Sequence, residues 1–295
     1  MRVAVTGRTG QVVSALVERG PLAGIDVLPV GRPDMDLADP SSVARALAAA
    51  EPDVIVSAAA YTAVDKAESE PELAHAINAT GAGAVASAAA RLGVPVVHLS
   101  TDYVFDGSKS SAYREDDPVH PLGVYGTSKL AGERAVAAAT PDHAILRVAW
   151  IFSPFGANFV RTMLRLSETR DVVRIVADQQ GGPTSALDIA DAVLTVATRL
   201  RAGPVPELRG IFHLPPAGEA NWASFAEAIF AGAGKRGRNP CAVEPITTAD
   251  YPTPARRPAN SRLAGERIAA IHGIALPDWR DSLETCLDRL LGPAP

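Results

Sequence analysis

The stretch Arg2-Val3-Ala4-Val5-Thr6-Gly7-Arg8-Thr9-Gly10-Gln11-Val12-Val13 decides the fold class. A short β-branched run enters a glycine-punctuated turn, and Ser14 to Arg19 beyond it has helical composition. Strand, glycine turn and helix in that order lay a pyrophosphate against backbone N–H groups at a helix N-terminus. Gly7 permits the tight turn and Gly10 a close approach of backbone to phosphate, with Gln11 and Val12 opening the helix. The third fingerprint position holds Val13, which predicts a wider spacing of helix and strand. A G-x-x-G pair also occurs in ordinary turns; its place at the first strand of an alternating chain gives it weight.

Outward from that turn the alternation continues. Asp26 to Val30 reads as a second strand ending in Gly31-Arg32. A dinucleotide fold chooses its cofactor here: an acid accepts from the ribose 2′-hydroxyl of NAD, whereas Arg suits the 2′-phosphate of NADP. With no acid at the strand end and Arg32 following, the expectation is NADPH preferred over NADH, Asp36 and Leu37 flanking the adenine. The alternative for Arg32 is a solvated loop charge. A helix over Ser41 to Ala50 and a strand at Val54 to Val56 lead to Ala58-Ala59-Ala60-Tyr61-Thr62, whose small residues let a cofactor lie against backbone. Glu72 to Leu92 predicts a long Ala-rich helix broken near Gly81 and Gly83; strands at Val94 to Leu99 and Ala144 to Val148 flank a helix over Leu122 to Ala139. This rhythm predicts an α/β fold: a doubly wound parallel sheet of Rossmann type, its ligand at the carboxyl ends of the strands.

Texture changes near Trp150 as Pro and Gly become denser. Residues 1–149 are expected to form a dinucleotide-binding domain and 150–295 mainly a second, smaller α/β substrate domain that returns some elements to the first. Asn158 to Glu168 reads as an amphipathic helix, and Ser185 and Asp188 are spaced as a capping box.

The chemistry concentrates between Ser100-Thr101-Asp102-Tyr103 and Tyr125-Gly126-Thr127-Ser128-Lys129. The first group ends an apolar strand; Tyr125 and Lys129, four apart, share one helix face. A strand-end hydroxyl, a phenol and an ammonium can converge on one carbonyl oxygen, which is equipment for reducing a ketone. Tyrosine titrates near ~10, and an adjacent Lys129 cation is expected to draw that down, by about three units if Lys129 and a cationic nicotinamide in a closed cleft together supply ~4 kcal/mol. An ordinary half-exposed helical pair is the alternative. Lys and Arg together number 28 and are overwhelmingly Arg, yet a Lys stands at this position.

A chain of 295 residues, 47% hydrophobic and 21% charged, has material for one large core or two modest ones. Its net charge of −5 gives no footprint for nucleic acid or an anionic membrane. Cys241 and Cys286 are too few for a disulfide scaffold, and with the six scattered His they offer no metal-ligand spacing. No apolar stretch reaches membrane length and a strand opens at residue 2, so the expectation is a cytoplasmic protein without a signal peptide.

With these residues in view, the sequence resembles the extended short-chain dehydrogenase/reductases and, among them, the dTDP-4-dehydrorhamnose reductase family. The likeness spans nearly the whole chain. It rests on Gly7-x-x-Gly10-Gln11, Ala58 to Glu68, Ser100 to Phe105, Val124-Tyr125-Gly126-x-x-Lys129 to Glu133, Asp178-Gln179-x-Gly181-x-Pro183-Thr184 and Arg257-Pro258-x-Asn260-Ser261-x-Leu263. The resemblance implies reduction of the C4 ketone of dTDP-4-dehydro-L-rhamnose to dTDP-L-rhamnose. It implies Tyr125 as proton donor, Lys129 tuning it and holding the nicotinamide ribose, and Thr101 at the reacting carbonyl. Asp102, Trp150, Asn158 and Arg257 would meet the substrate, although a buried inter-domain aromatic is an alternative for Trp150. Some relatives are dimers bridged by magnesium through glutamates; the matching positions here are Ala15, Leu187 and Arg280, so the expectation is no metal and a monomer or metal-free homodimer. Two other readings stay open: a reductase of another dTDP-4-ketosugar, as in antibiotic-sugar pathways, and a non-catalytic nucleotide-binding regulatory subunit.

Overall fold

The computed structural model describes residues 1–294. Strands β1 (Arg2–Thr6), β2 (Asp26–Val30), β3 (Val54–Ser57), β4 (Val96–Thr101) and β5 (His143–Val148) join a sixth, Gly210–His213, in one sheet. Its order is β2-β1-β3-β4-β5-(210–213) and every pairing is parallel. Side chains alternate across it as the strand period requires: Val3 and Val5 enter one buried cluster and Ala4 the other. Helix α1 (Gln11–Leu22) and the helix Ala186–Ala202 cover one face; α2 (Pro40–Ala49) and the helices Ala82–Leu92 and Val124–Ala139 cover the other. The doubly wound parallel sheet is therefore as the alternation implies.

The chain reverses direction across the sheet between β1 and β3, so their carboxyl ends open a crevice. Thr6 fixes its floor: its Oγ1 accepts from the Ala58 and Ala59 N–H groups at 3.0 and 2.9 Å. Beyond residue 150 the helix Ala186–Ala202 and the strand Gly210–His213 build into this sheet, while other elements gather round a separate core of Phe152, Met163, Phe225, Ile229, Trp279 and Leu283. A parallel pair, Val172–Val176 with Ala242–Ile246, lies beside that core.

Two local expectations are corrected. The segment after Glu72 is not broken at Gly81 and Gly83: Pro71–His75 continues through a π-helical turn, Ala76–Gly81, into Ala82–Leu92. That turn packs tightly, since a Cβ on Gly81 would lie 2.6 Å from the Leu37 carbonyl oxygen. Ser185 caps its helix through the Leu187 N–H, but no capping box forms because the Asp188 carboxylate takes the Ser282 hydroxyl at 2.5 Å. Val13 is 2% exposed and packs at the turn, its Cγ2 3.3 Å from where a Cβ on Gly7 would stand.

Candidate active site

Gly7 adopts φ +101°, a conformation that side chains rarely take, and its N–H donates to Val30 O at 2.7 Å. A Cβ there would also press on the Ala59 Cβ at 3.3 Å. Gly10 caps α1 without a side-chain bond, and the first turn of that helix holds no acid, so its N–H groups and positive dipole end face outward. These features fit a dinucleotide pyrophosphate. The turn forms one wall of a cleft of about 760 Å³ whose lining includes Gly7, Gly10, Gln11, Val12, Ala60 and Thr62. Thr101, Asp102, Tyr125, Lys129 and Trp150 line the same cleft.

The catalytic candidates converge because two elements touch almost backbone to backbone. A Cβ on Gly126 would sit 2.2 Å from the Tyr103 carbonyl oxygen, so only glycine lets the helix Val124–Ala139 reach the end of β4. Tyr125 packs edge-on against Tyr103, with ring centroids 5.4 Å apart. Thr101 is buried; its hydroxyl accepts from Tyr103 N–H at 3.2 Å and donates to Asp102 Oδ1 at 3.0 Å. Lys129, 4% exposed, donates from Nζ to Leu99 O at 2.7 Å.

Electrostatics here follow desolvation. Burial pulls Lys129 down to about 8 although Glu133 opposes it. Burial likewise pushes Asp102 up to about 6 against hydrogen bonds from Ser261 and Thr101. Tyr125 is pushed up to about 12 by burial, opposed by its hydrogen bond with Thr101 and reinforced by the Asp102 charge. In the protein without ligands the ammonium is held at Leu99 O, and desolvation keeps the phenol protonated; the expected lowering concerns the cleft closed on a cationic nicotinamide. A protonated phenol is the form a proton donor needs.

Residues outside the quoted motifs complete the site. Asn78, in the π-helical turn and 2% exposed, accepts from Tyr61 N–H at 2.8 Å and donates to Tyr61 O at 3.1 Å and Ser128 Oγ at 3.0 Å. It ties the loop after β3 to the Tyr125 helix. An amide inside an otherwise Ala-rich helix is the signal that could have marked it. Trp222 stacks on Trp150 with centroids 3.7 Å apart and also lines the cleft. Trp150 holds φ +48°, a strained value for a bulky residue, and Gly181 presses on its indole. Arg8 enters the lining; no sequence pattern distinguished it from Arg32.

Other candidates stand apart from the cleft lining. Arg32 is exposed and pairs with Asp36 at 2.9 Å, while Leu37 is buried in the core. The Tyr61 hydroxyl donates to Glu70 at 2.7 Å. Asn158 caps the helix Phe159–Ser167, and its amide donates to Ser153 O and Phe155 O at 2.8 and 3.1 Å. Arg257 forks onto Asp65 at 3.1 and 2.8 Å, linking the segment 253–257 to the one-turn helix Val64–Ala67.

A parallel sheet with a glycine turn at its switch point, and a hydroxyl, a phenol and an ammonium converging in the same cleft, defines an extended short-chain dehydrogenase/reductase. A family model described as the RmlD substrate binding domain matches residues 1–291. The chain belongs to that family, whose curated members include dTDP-4-dehydrorhamnose reductases. It is 52% identical over 291 residues to the dTDP-4-dehydrorhamnose reductase of Sinorhizobium fredii, covering 99% of this chain and 98% of the relative. A crystal structure of a Clostridium acetobutylicum dTDP-4-dehydrorhamnose reductase superposes with a TM-score of 0.91 at 36% identity, covering 98% of this chain and 99% of the other. The Bacillus anthracis enzyme, solved in complex with NADP, gives 0.90 at 33% identity, with 97% and 98% covered.

Proposed function

We propose that this protein uses NADPH or NADH to reduce the C4 ketone of dTDP-4-dehydro-L-rhamnose, giving dTDP-L-rhamnose. One observation carries the reading: Thr101, Tyr125 and Lys129 share a single cleft with the glycine turn. A bound reduced nicotinamide supplies the hydride. Thr101 holds the substrate oxygen, and Tyr125 donates its proton to that oxygen as the carbon is reduced. Lys129 would hold the nicotinamide ribose and steady the phenolate that forms. Gly7, Gly10, Gln11 and Val12 would carry the pyrophosphate, Ala60, Tyr61 and Thr62 would lie along the cofactor, and Asp36 and Leu37 would flank the adenine. Asp102 and Trp150 meet the sugar nucleotide, with Trp222 behind Trp150. Residues 150–295 serve mainly as the substrate domain. Asn158 and Arg257 act on the substrate through the loops they anchor.

NADPH is the preferred cofactor in this reading, because Arg8 and Arg32 flank Gly31 at the end of β2. No metal is required. Ala15 and Leu187 are buried apolar residues, and the Arg280 guanidinium lies over the Trp279 ring at 4.3 Å, so none offers an oxygen ligand. The nearby Glu18 is bound by Arg289 at 2.6 Å. Among the described residues no group of three or more His, Cys, Asp or Glu is placed to hold a metal ion, and no helix is long and apolar enough to cross a membrane. The protein acts in the cytoplasm as a monomer or a metal-free homodimer.

NADPH oxidation measured against a panel of dTDP-4-ketosugars tests the assignment. The L-rhamnose precursor is expected to give the highest kcat/KM; a different preferred ketosugar, or tight cofactor binding with no turnover, overturns it. Activity and elution volume in size exclusion are expected to survive EDTA unchanged. A dimer that dissociates on chelation and re-forms with Mg²⁺ contradicts the metal-free reading.

A further inference from the structure

The stretch Val64-Asp65-Lys66-Ala67-Glu68 belongs neither to the glycine turn nor to the catalytic group, yet it touches the catalytic helix. That helix, Val124–Ala139, starts from Gly123, which has no side chain to cap it. Glu68, at the end of the one-turn helix Val64–Ala67, supplies the cap from 56 positions away: its Oε1 accepts from Val124 N–H at 2.9 Å. Gly123 has φ −146° and ψ 179°, extended backbone open to any residue, so its conformation does not call for glycine. Its surroundings do. A Cβ on Gly123 would meet Glu68 alone within 4 Å, lying 2.5 Å from Oε1 and 3.5 Å from Cδ. A serine or aspartate there would cap the helix locally. The chain instead clears room for a distant carboxylate.

The two ends of this bond belong to different walls of the cleft. Ala60, Thr62 and Val64 line it from the loop after β3, and Tyr125 and Lys129 line it from the helix. Glu68 holds Val124, the residue before Tyr125; Asn78 holds Ser128, the residue before Lys129, and also Tyr61 on the loop. The loop side is itself anchored, since Ala67 is fully buried and Asp65 takes the Arg257 fork. Resting on the reductase reading, we propose that Glu68 is a positioning residue for the reduction, a strut that sets where the Tyr125 hydroxyl stands relative to a cofactor lying along Ala60 to Val64. In this role it touches neither substrate nor cofactor. It acts through Val124, governing how well a proton from Tyr125 and a hydride from the cofactor meet on one carbonyl. Binding of either ligand does not need the strut; the step that joins them does.

Single-turnover reduction, NADPH affinity by fluorescence and thermal melts of three variants test the strut. Glu68→Ala is expected to cut the single-turnover rate roughly tenfold or more, to leave NADPH affinity within about twofold, and to lower Tm by about 2 °C for the lost cap. Glu68→Gln keeps an oxygen for Val124 N–H and is expected to hold the rate within about threefold of wild type. In Glu68→Ala/Gly123→Ser the vacated space admits a hydroxyl that caps the helix locally, so Tm returns while the rate stays low. Recovery of the rate together with Tm would make Glu68 a cap and nothing more, and overturns the proposal. So does a wild-type rate in Glu68→Ala, or a loss of NADPH affinity as large as the loss of rate. If Glu68→Ala does not fold, the double variant with its local cap decides by the same rate. A wild type that reduces no dTDP-4-ketosugar overturns the reductase reading and the strut with it; equal rates in wild type and all variants overturn the strut alone.

Discussion

At the catalytic end of the cleft Lys129 is 4% exposed and its ammonium meets one carbonyl; at the far end of β1 and β2 the Arg32 side chain is 70% exposed and paired with Asp36. Arg8, at 47%, is likewise paired with Asp34. The same kinds of group therefore stand in two solvent regimes. Where water is excluded, Lys129 moves down to about 8, Asp102 up to about 6 and Tyr125 up to about 12. Where water is present, an ion pair contributes about 0–1 kcal/mol and is screened by salt. Charge substitutions should have graded consequences along the cleft, steep at the dry end and shallow at the wet one.

The steepest is expected at Tyr125. Tyr125→Phe removes the proposed proton donor without touching the glycine turn, so turnover should fall by about 10³-fold or more while NADPH affinity changes little. Lys129→Met should damage both rate and cofactor affinity, because in the proposed role the ammonium serves phenol and ribose. Stopped-flow reduction and NADPH fluorescence titration separate the two. Substantial residual ketone reduction by Tyr125→Phe would sink the assignment of the donor.

Asp102 gives an intermediate effect that reads the dryness of this end directly. Its folded pKa, about 6, lies above the ordinary 3.8, so the fold favours the protonated carboxyl. That contribution is complete below the unfolded value and is lost as pH rises through about 6. The total is on the order of 3 kcal/mol, of which about half remains to be lost between pH 5 and pH 8. Asp102→Asn should accordingly gain stability relative to wild type on going from pH 5 to pH 8. Paired thermal or urea melts at the two pH values measure this. A difference that does not move with pH would mean that water reaches the carboxyl, and the contrast between the two ends would shrink.

The two ends also differ in how far they could be read in advance. Residues that act within one element were legible: β2 spans Asp26–Val30 as its apolar run implies, and Tyr125 and Lys129 share a helix face because four residues is about one turn. Residues placed by contacts distant in the chain were not. Trp222 reaches Trp150 across 72 positions, and Asn78 reaches Ser128 across 50. The Ser185-x-x-Asp188 spacing misled for the same reason, since Ser282 on another helix outbids the local partner. Spacing also reports neighbours but not the solvent they lose: without a bound nicotinamide, burial pushes Tyr125 up.

The smallest effect belongs to the wet end. The aliphatic part of Arg8 crosses the end of β2, its Cγ 3.2 Å from where a Cβ on Gly31 would stand, and its Nε donates to Gly31 O at 3.3 Å. Arg8 therefore lies over the crevice, whereas Arg32 points into solvent. A ribose 2′-phosphate would meet guanidinium groups already satisfied by Asp34 and Asp36. A charge-assisted hydrogen bond contributes about 1.5–3 kcal/mol, and displacing an exposed pair takes back up to about 1. The remainder is on the order of 1 kcal/mol, so NADPH should be preferred by roughly five- to tenfold and not absolutely. Arg8→Ala should reduce the ratio of kcat/KM for NADPH over NADH by about that factor, and Arg32→Ala by about twofold, both shrinking further in high salt. A larger loss from Arg32→Ala would place the phosphate outside the crevice. An unchanged ratio in both variants would leave the two arginines as surface charges, and the exclusion of water, not the count of cations, would then govern the whole cleft.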